Sequence, residues 1–200
     1  MIITEKKPHE EILQGLSGKR KVALLGCGRC ATSCRTGGER EVAQMRKSLE
    51  AEGFAVVYSG VVEAQCDERL TRLTLKDMAD AEVIVSMSCG SGASALADLT
   101  VKPVVPSNNT MFLGVVRRIG EYSQRCSMCG ICELPQTAGV CVKTRCAKGL
   151  LNGPCGGAKN GKCEVDGVRD CAWALAVERL GKAGRIGELT AVRKKKRARK

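Results

Sequence analysis

Eight cysteines crowd into the 46 residues from Cys126 to Cys171, and glycines are interleaved with them throughout. The segment opens Cys126-Ser-Met-Cys129-Gly-Ile-Cys132 and continues with Cys141, Cys146, Cys155, Cys163 and Cys171. It holds too few large apolar side chains to fold on hydrophobic burial alone. Chains below about 40 residues normally need covalent or metal staples. The thiols are the only staples available.

The chain begins Met-Ile-Ile-Thr-Glu-Lys-Lys-Pro, with no apolar export signal, so a cytoplasmic setting is expected. There, clustered thiols bind metals more often than they form disulfides. Structural zinc usually pairs two Cys-x2-Cys knuckles or recruits histidine. This chain has one histidine, His9, expected on the surface, and no second Cys-x2-Cys after Cys132. Three thiols two residues apart suit three corners of an iron–sulfur cubane, with a fourth ligand from elsewhere. Cys141, Cys146, Cys155, Cys163 and Cys171 can supply that corner and a complete second site. Zinc and iron–sulfur both remain open there, because each accepts four thiolates.

Upstream, strands alternate with helices. A helix is expected over residues 8–17. Lys21–Gly26 reads as a buried parallel strand, Glu39–Glu52 as a helix and Phe54–Tyr58 as a strand. A helix over 68–80, a strand Glu82–Ser86, a helix near Ala93–Leu99 and a strand Pro103–Pro106 follow. Residues 107–125 read as a turn and a packing segment. The fold class is α/β: a doubly wound parallel sheet, flavodoxin-like or Rossmann-like, followed by a small cysteine-rich metal-cluster module. The expected boundaries are 1–120 for the sheet domain and 121–180 for the module with a capping helix from Ala172 to Leu180. A basic, disordered tail is expected over 181–200.

In open parallel sheets, ligands bind beyond the carboxyl ends of the strands. Cys27, Cys30 and Cys34 follow the first α/β strand, Cys66 the second and Cys89 the third. Five thiols up to 62 residues apart are therefore expected on one edge, with four of the five holding a second metallocluster. Arg29 and Arg35 stand among them. Gly26-Cys-Gly28, Gly37-Gly38 and Gly90-Ser-Gly92 match no complete nucleotide fingerprint.

Composition narrows the function classes. Aromatics are 2%, which leaves no stacking surface for single-stranded nucleic acid. No apolar run is long enough to span a membrane. The formal charge is +12, and seven of the eight residues from Arg193 to Lys200 are Lys or Arg. Such a block is expected to stay solvated. With one histidine there is no Ser-His-Asp or Cys-His arrangement, and no catalytic residue is expected. The chemistry rests with the thiolate-bound metals.

These pieces together resemble one family. They are Gly26-Cys-Gly-x-Cys30-x3-Cys34, Gln65-Cys66-Asp67, Ser88-Cys89-Gly90, Asn109-Thr110, Cys126-x2-Cys-Gly-x-Cys132, Asn152-Gly-Pro-Cys155-Gly-Gly157, Gly161-Lys-Cys163-Glu-Val165 and Cys171-Ala-Trp173. The string is similar to the methylenetetrahydrofolate reductase C-terminal (zinc/iron–sulfur) family, over roughly residues 22–175. One departure is Thr137-Ala138-Gly139, where the pattern has two glycines. The resemblance implies a small partner subunit of the flavin-containing reductase of anaerobic one-carbon (Wood–Ljungdahl) metabolism. The flavin and folate would sit on that catalytic subunit, not on this chain. Two or three [4Fe-4S] clusters here, with zinc in one four-cysteine site, would pass electrons to the flavin. An upstream iron–sulfur or NADH-oxidising subunit would supply them. The competing expectation is a zinc-structured nucleic-acid-binding or scaffold module without redox activity.

Overall fold

The computed structural model describes residues 1–190. The basic block 193–200 lies outside them. The chain forms two compact units, residues 1–112 with 116–122, and residues 113–115 with 123 onward.

The first unit opens with β1 (Ile2–Lys6), α1 (His9–Gly15), β2 (Lys21–Cys27) and a one-turn helix α2 (Cys30–Ser33). It continues through α3 (Glu39–Ala51), β3 (Ala55–Val62), α4 (Glu68–Thr74) with a 3-10 turn Leu75–Met78, β4 (Val83–Met87), α5 (Gly90–Leu99) and β5 (Val104–Pro106). The parallel sheet runs β3-β2-β4-β5. This is the doubly wound order in which the chain reverses direction between its first and third strands, here β2 and β4.

Burial explains why β2 is central. Val22, Leu24, Ala23 and Leu25 are all fully buried. Val22 and Leu24 face Ile12 of α1, Leu16 at its C-terminal cap, and Val42 and Leu49 of α3. Ala23 and Leu25 face Met78, Ile84 and Leu96 on the other side. A strand covered on both faces reads as an unbroken apolar run. Each such Leu or Val contributes about 1.5–3 kcal/mol by burial.

Several local expectations are corrected. The first strand of the chain, β1, was not anticipated. It buries Ile3 and Thr4, and Thr4 Oγ1 lies 2.6 Å from Thr36 Oγ1. Residues 107–125 are not a turn and packing segment. They form β6 (Asn108–Arg118) and β7 (Glu121–Cys126), which join β1 in a sheet of order β1-β6-β7. Only Ile119 and Gly120 separate the two strands, so they run antiparallel, and Gly120 supplies the positive φ of 86° that so short a turn demands. The second α/β strand extends past Tyr58 to Val62, and the helix expected over 68–80 gives way to a 3-10 turn after Thr74. His9 is half-buried rather than exposed, with Nε2 3.4 Å from Ser48 Oγ.

The second unit holds a 3-10 turn Leu134–Thr137, α6 (Val142–Arg145), α7 (Ala172–Lys182) and a 3-10 turn Ile186–Leu189. Helix α7 runs through Gly181, two residues beyond its expected end, because an exposed glycine near a last turn weakens a helix without stopping it. Its inner face buries Ala172, Trp173, Ala176 and Leu180. With Val140 and Val142, the first three make a core of five buried residues. Trp173 Nε1 donates to Leu150 O at 3.0 Å, tying the loop to the helix.

Close backbone approach at the sheet edge fixes Gly37. A Cβ there would lie 1.7 Å from Met87 O, and Gly37 O accepts from Cys27 N–H at 2.9 Å. Backbone on both sides leaves nothing free to yield. Gly37→Ala is expected to cost about 3 kcal/mol of stability, read as a fall in the urea midpoint of the full-length protein.

Candidate metal centres

All thirteen cysteines are free thiols. In the first unit, five of them occupy connections leaving the carboxyl ends of β2, β3 and β4. Cys27 closes β2, Cys30 begins α2 and Cys34 caps its end. Cys66 lies in the loop after β3, and Cys89 is the residue before α5.

Three sets of contacts bind these connections together. Gly28 N–H donates to Val62 O at 2.8 Å, and Arg29 forms an ion pair with Glu63. Gln65 is fully buried, and its Nε2 donates to Ser86 Oγ at 2.7 Å and to Gly92 O at 3.4 Å. Ser86 Oγ in turn lies 2.9 Å from Ser88 Oγ. Gln65 is thus a polar strut from the Cys66 loop to the Cys89 turn. Arg29, placed among the thiols from sequence, is engaged by this carboxylate. Arg35 takes a left-handed φ of 56° and is exposed.

Partial burial, then the neighbouring thiols Cys89, Cys27 and Cys30, push the Cys66 thiol above its ordinary value. These four sulfurs therefore share one electrostatic neighbourhood, at the crevice between β2 and β4 where the strand order reverses. Cys34 is directed elsewhere: its Sγ lies 3.7 Å from Ile2 O of β1. Helix α5 begins directly after Cys89, so its positive end lies beside this group.

The second unit contains a hollow of about 250 Å³ walled by Cys126, Cys129, Cys132 and Cys141. The three-thiol loop wraps it through left-handed residues, Met128 at φ 53° and Gly130 at φ 69°. Met128 N–H donates to Cys126 Sγ at 3.3 Å. Lys143 Nζ stands 3.8 Å from Cys129 Sγ. A backbone hydrogen bond at Ile131, then the Lys143 ammonium, hold the Cys129 thiol below its ordinary value.

The remaining thiols fall in two pairs. Cys146 and Cys171 pack against the small core around Trp173. Cys155 Sγ donates to Glu164 Oε1 at 3.1 Å, and Glu164 pairs with Lys148. Glu164, then Cys155 and Cys163, raise the Lys148 ammonium. Cys171 N–H donates to Gly161 O at 2.7 Å and Cys163 N–H to Arg169 O at 2.9 Å, which folds the 161–171 loop back on itself. Among the described residues, no group of three His, Cys, Asp or Glu side chains is set to hold a metal ion as it stands. His9 lies among none of these thiols. Ala138, where the resembled pattern has a glycine, adopts φ 46°.

Residues 105–199 match the family model described as Methylene-tetrahydrofolate reductase C terminal. That part of the chain is similar to this family. Neither a curated protein nor a solved structure matched the chain. The matched segment contains all eight cysteines of the second unit. The five thiols at the sheet edge precede it. No helix among the described residues is long and apolar enough to cross a membrane.

Sequence reasoning did not find Gln65 as a strut, although Gln65 stood in the quoted motif. It also left the fourth partner of Cys126, Cys129 and Cys132 open among five thiols, whereas the hollow includes Cys141 alone of them. In metal-free, reduced protein at pH 7.5, Cys129 is expected to be alkylated by iodoacetamide several-fold faster than Cys66. A lowered pKa leaves more thiolate at that pH and a raised one leaves less. Peptide mass spectrometry of a time course reads both sites, and equal rates would contradict the stated environments.

Proposed function

We propose that this chain is an electron-carrying subunit of a methylenetetrahydrofolate reductase complex, delivering electrons to the flavin of a catalytic partner. The observation that carries the reading is the hollow lined by Cys126, Cys129, Cys132 and Cys141. Its volume of about 250 Å³ far exceeds the room a single zinc ion needs, with Zn–S bonds of about 2.3 Å. Four thiols around such a space are a donor set suited to a [4Fe-4S] cluster. Bound there, the cluster would supply a one-electron store.

The chain's own residues have definable tasks. The four thiolates bind. The Met128 N–H and the Lys143 ammonium stabilise charge on Cys126 and Cys129, as donors to cluster sulfurs do. Cys129 and Cys132 are exposed, which leaves the centre open to a redox partner. Cys27, Cys30, Cys66 and Cys89 form the second proposed ligand set, with Cys34 the spare. Cys146, Cys155, Cys163 and Cys171 form the third, a four-thiolate site for zinc or iron. The family's description supports the choice of partner. The single histidine, which lies among none of the thiols, supports a carrier rather than a catalyst. An upstream iron–sulfur or NADH-oxidising subunit remains the proposed electron source.

The deciding experiment is iron, acid-labile sulfide and zinc counting on protein purified anaerobically with its flavoprotein partner. Matched iron and sulfide are expected, and iron-free protein would sink the reading. Cys132→Ser and Cys66→Ser are each expected to lose about four iron atoms per chain. Cys34→Ser is expected to retain the full complement. Equal losses in Cys34→Ser and Cys66→Ser would refute the proposed set at the sheet edge.

A further inference from the structure

Beside the four-thiol hollow lies a second cavity of about 320 Å³, lined by Arg125, Leu134, Gly139, Cys141, Arg145 and Arg179. Three guanidiniums meet in it, and no acidic side chain among the described residues lines it. Arg125 precedes Cys126 at the end of β7, Arg145 ends α6 and Arg179 projects from α7. Three separate elements therefore contribute to one cationic group. Arg179 donates to Ala138 O at 3.3 Å, a neutral partner. The carboxylate that acts on Arg145 is Asp170, which Lys162 also engages at 2.7 Å.

Arg145 is half-buried, while Arg125 and Arg179 are exposed; like charges gathered so repel, and an adjacent anion relieves the repulsion. The two cavities share Arg125, Leu134 and Cys141, so the thiol wall of one is the edge of the other. Four thiolates around a cubane carry about two net negative charges when oxidised and about three when reduced. That charge is adjacent to the guanidiniums, and its size matches what they lack.

We propose that Arg125, Arg145 and Arg179 are the counter-charge of the centre held by Cys126, Cys129, Cys132 and Cys141, and that they set its reduction potential. This rests on the electron-carrier reading above. An electron arriving from a reductant, dithionite in the test, adds one negative charge beside these cations without a proton. Each guanidinium stabilises the more negative, reduced form more than the oxidised one. Removing one therefore lowers the potential. These are positioning residues that act through the field, not catalytic ones.

The test is an anaerobic redox titration of the full chain with its partner, followed by visible absorption and electron paramagnetic resonance. The relevant signal is the one lost in Cys132→Ser. Arg145→Gln and Arg179→Gln are expected to keep full iron content and to shift the midpoint to more negative potential, the double variant furthest. Arg145→Lys is expected to restore most of the shift, and Arg46→Gln, on the first unit, to cause none. Arg179 is exposed on a helix, so its replacement reports even if Arg145→Gln fails to fold. An unchanged midpoint at full iron content in Arg179→Gln overturns the proposal. Stoichiometric binding of inorganic phosphate by the loaded protein, abolished in Arg179→Gln while the midpoint stays fixed, overturns it in favour of an external anion. Absence of iron from the wild-type hollow would instead defeat the electron-carrier reading on which the proposal rests.

Discussion

Parallel strands release their chain at one edge, and every connection that must return to the far end of the sheet starts there. In the first unit this geometric necessity gathers Cys27, Cys30, Cys66 and Cys89, although 62 residues separate the first from the last. The gathering is held by a few polar ties, several of them buried. Gln65 reaches from one connection to the turn of the next, Arg29 meets Glu63, and Gly28 bonds to Val62. Gly37 can pass over Met87 only because it has no Cβ. The rigid sheet positions these thiols at graded depth, with Cys27 and Cys89 buried, Cys30 half-buried and Cys66 exposed.

The second unit obeys a different constraint. Its core amounts to a few side chains around Trp173, too little to order so long a loop-rich segment by hydrophobic burial. Its backbone repeatedly enters left-handed conformations, at Met128, Gly130, Ala138, Gly139 and Asn160 among others. At the first of them the Met128 N–H meets Cys126 Sγ. Under the proposed function, metal ligation would supply the missing stability, since binding to a folded ligand set is itself folding free energy.

Charge ties the two themes together. The net excess of twelve positive charges lies only partly in the C-terminal block. Arg125 and Lys143 line the hollow of four thiols, and Arg125, Arg145 and Arg179 line the cavity that shares Cys141 with it. The dianionic centres proposed above would gain from cations so close by, because the field of each charge falls off steeply once water intervenes.

Much was legible in the sequence for stateable reasons. The unbroken apolar run of β2 announced a strand buried on both faces, and the alternation of strands and helices announced the parallel sheet. Cysteine spacing marked 126, 129 and 132 as one loop. The hairpin of β6 and β7 was missed because a two-residue turn of Ile119 and Gly120 lacks the usual polar turn residues. β1 was missed because five residues carry too little periodicity. The fourth thiol of the hollow could not be chosen, since all five candidates are equal in composition and only three-dimensional closure separates Cys141 from the rest. Sequence alone determined which side chains could do the chemistry, because thiols are chemically distinct wherever they stand. Only the tertiary structure decided which of them stand together, because proximity across loops depends on strand order and backbone turns that no local pattern encodes.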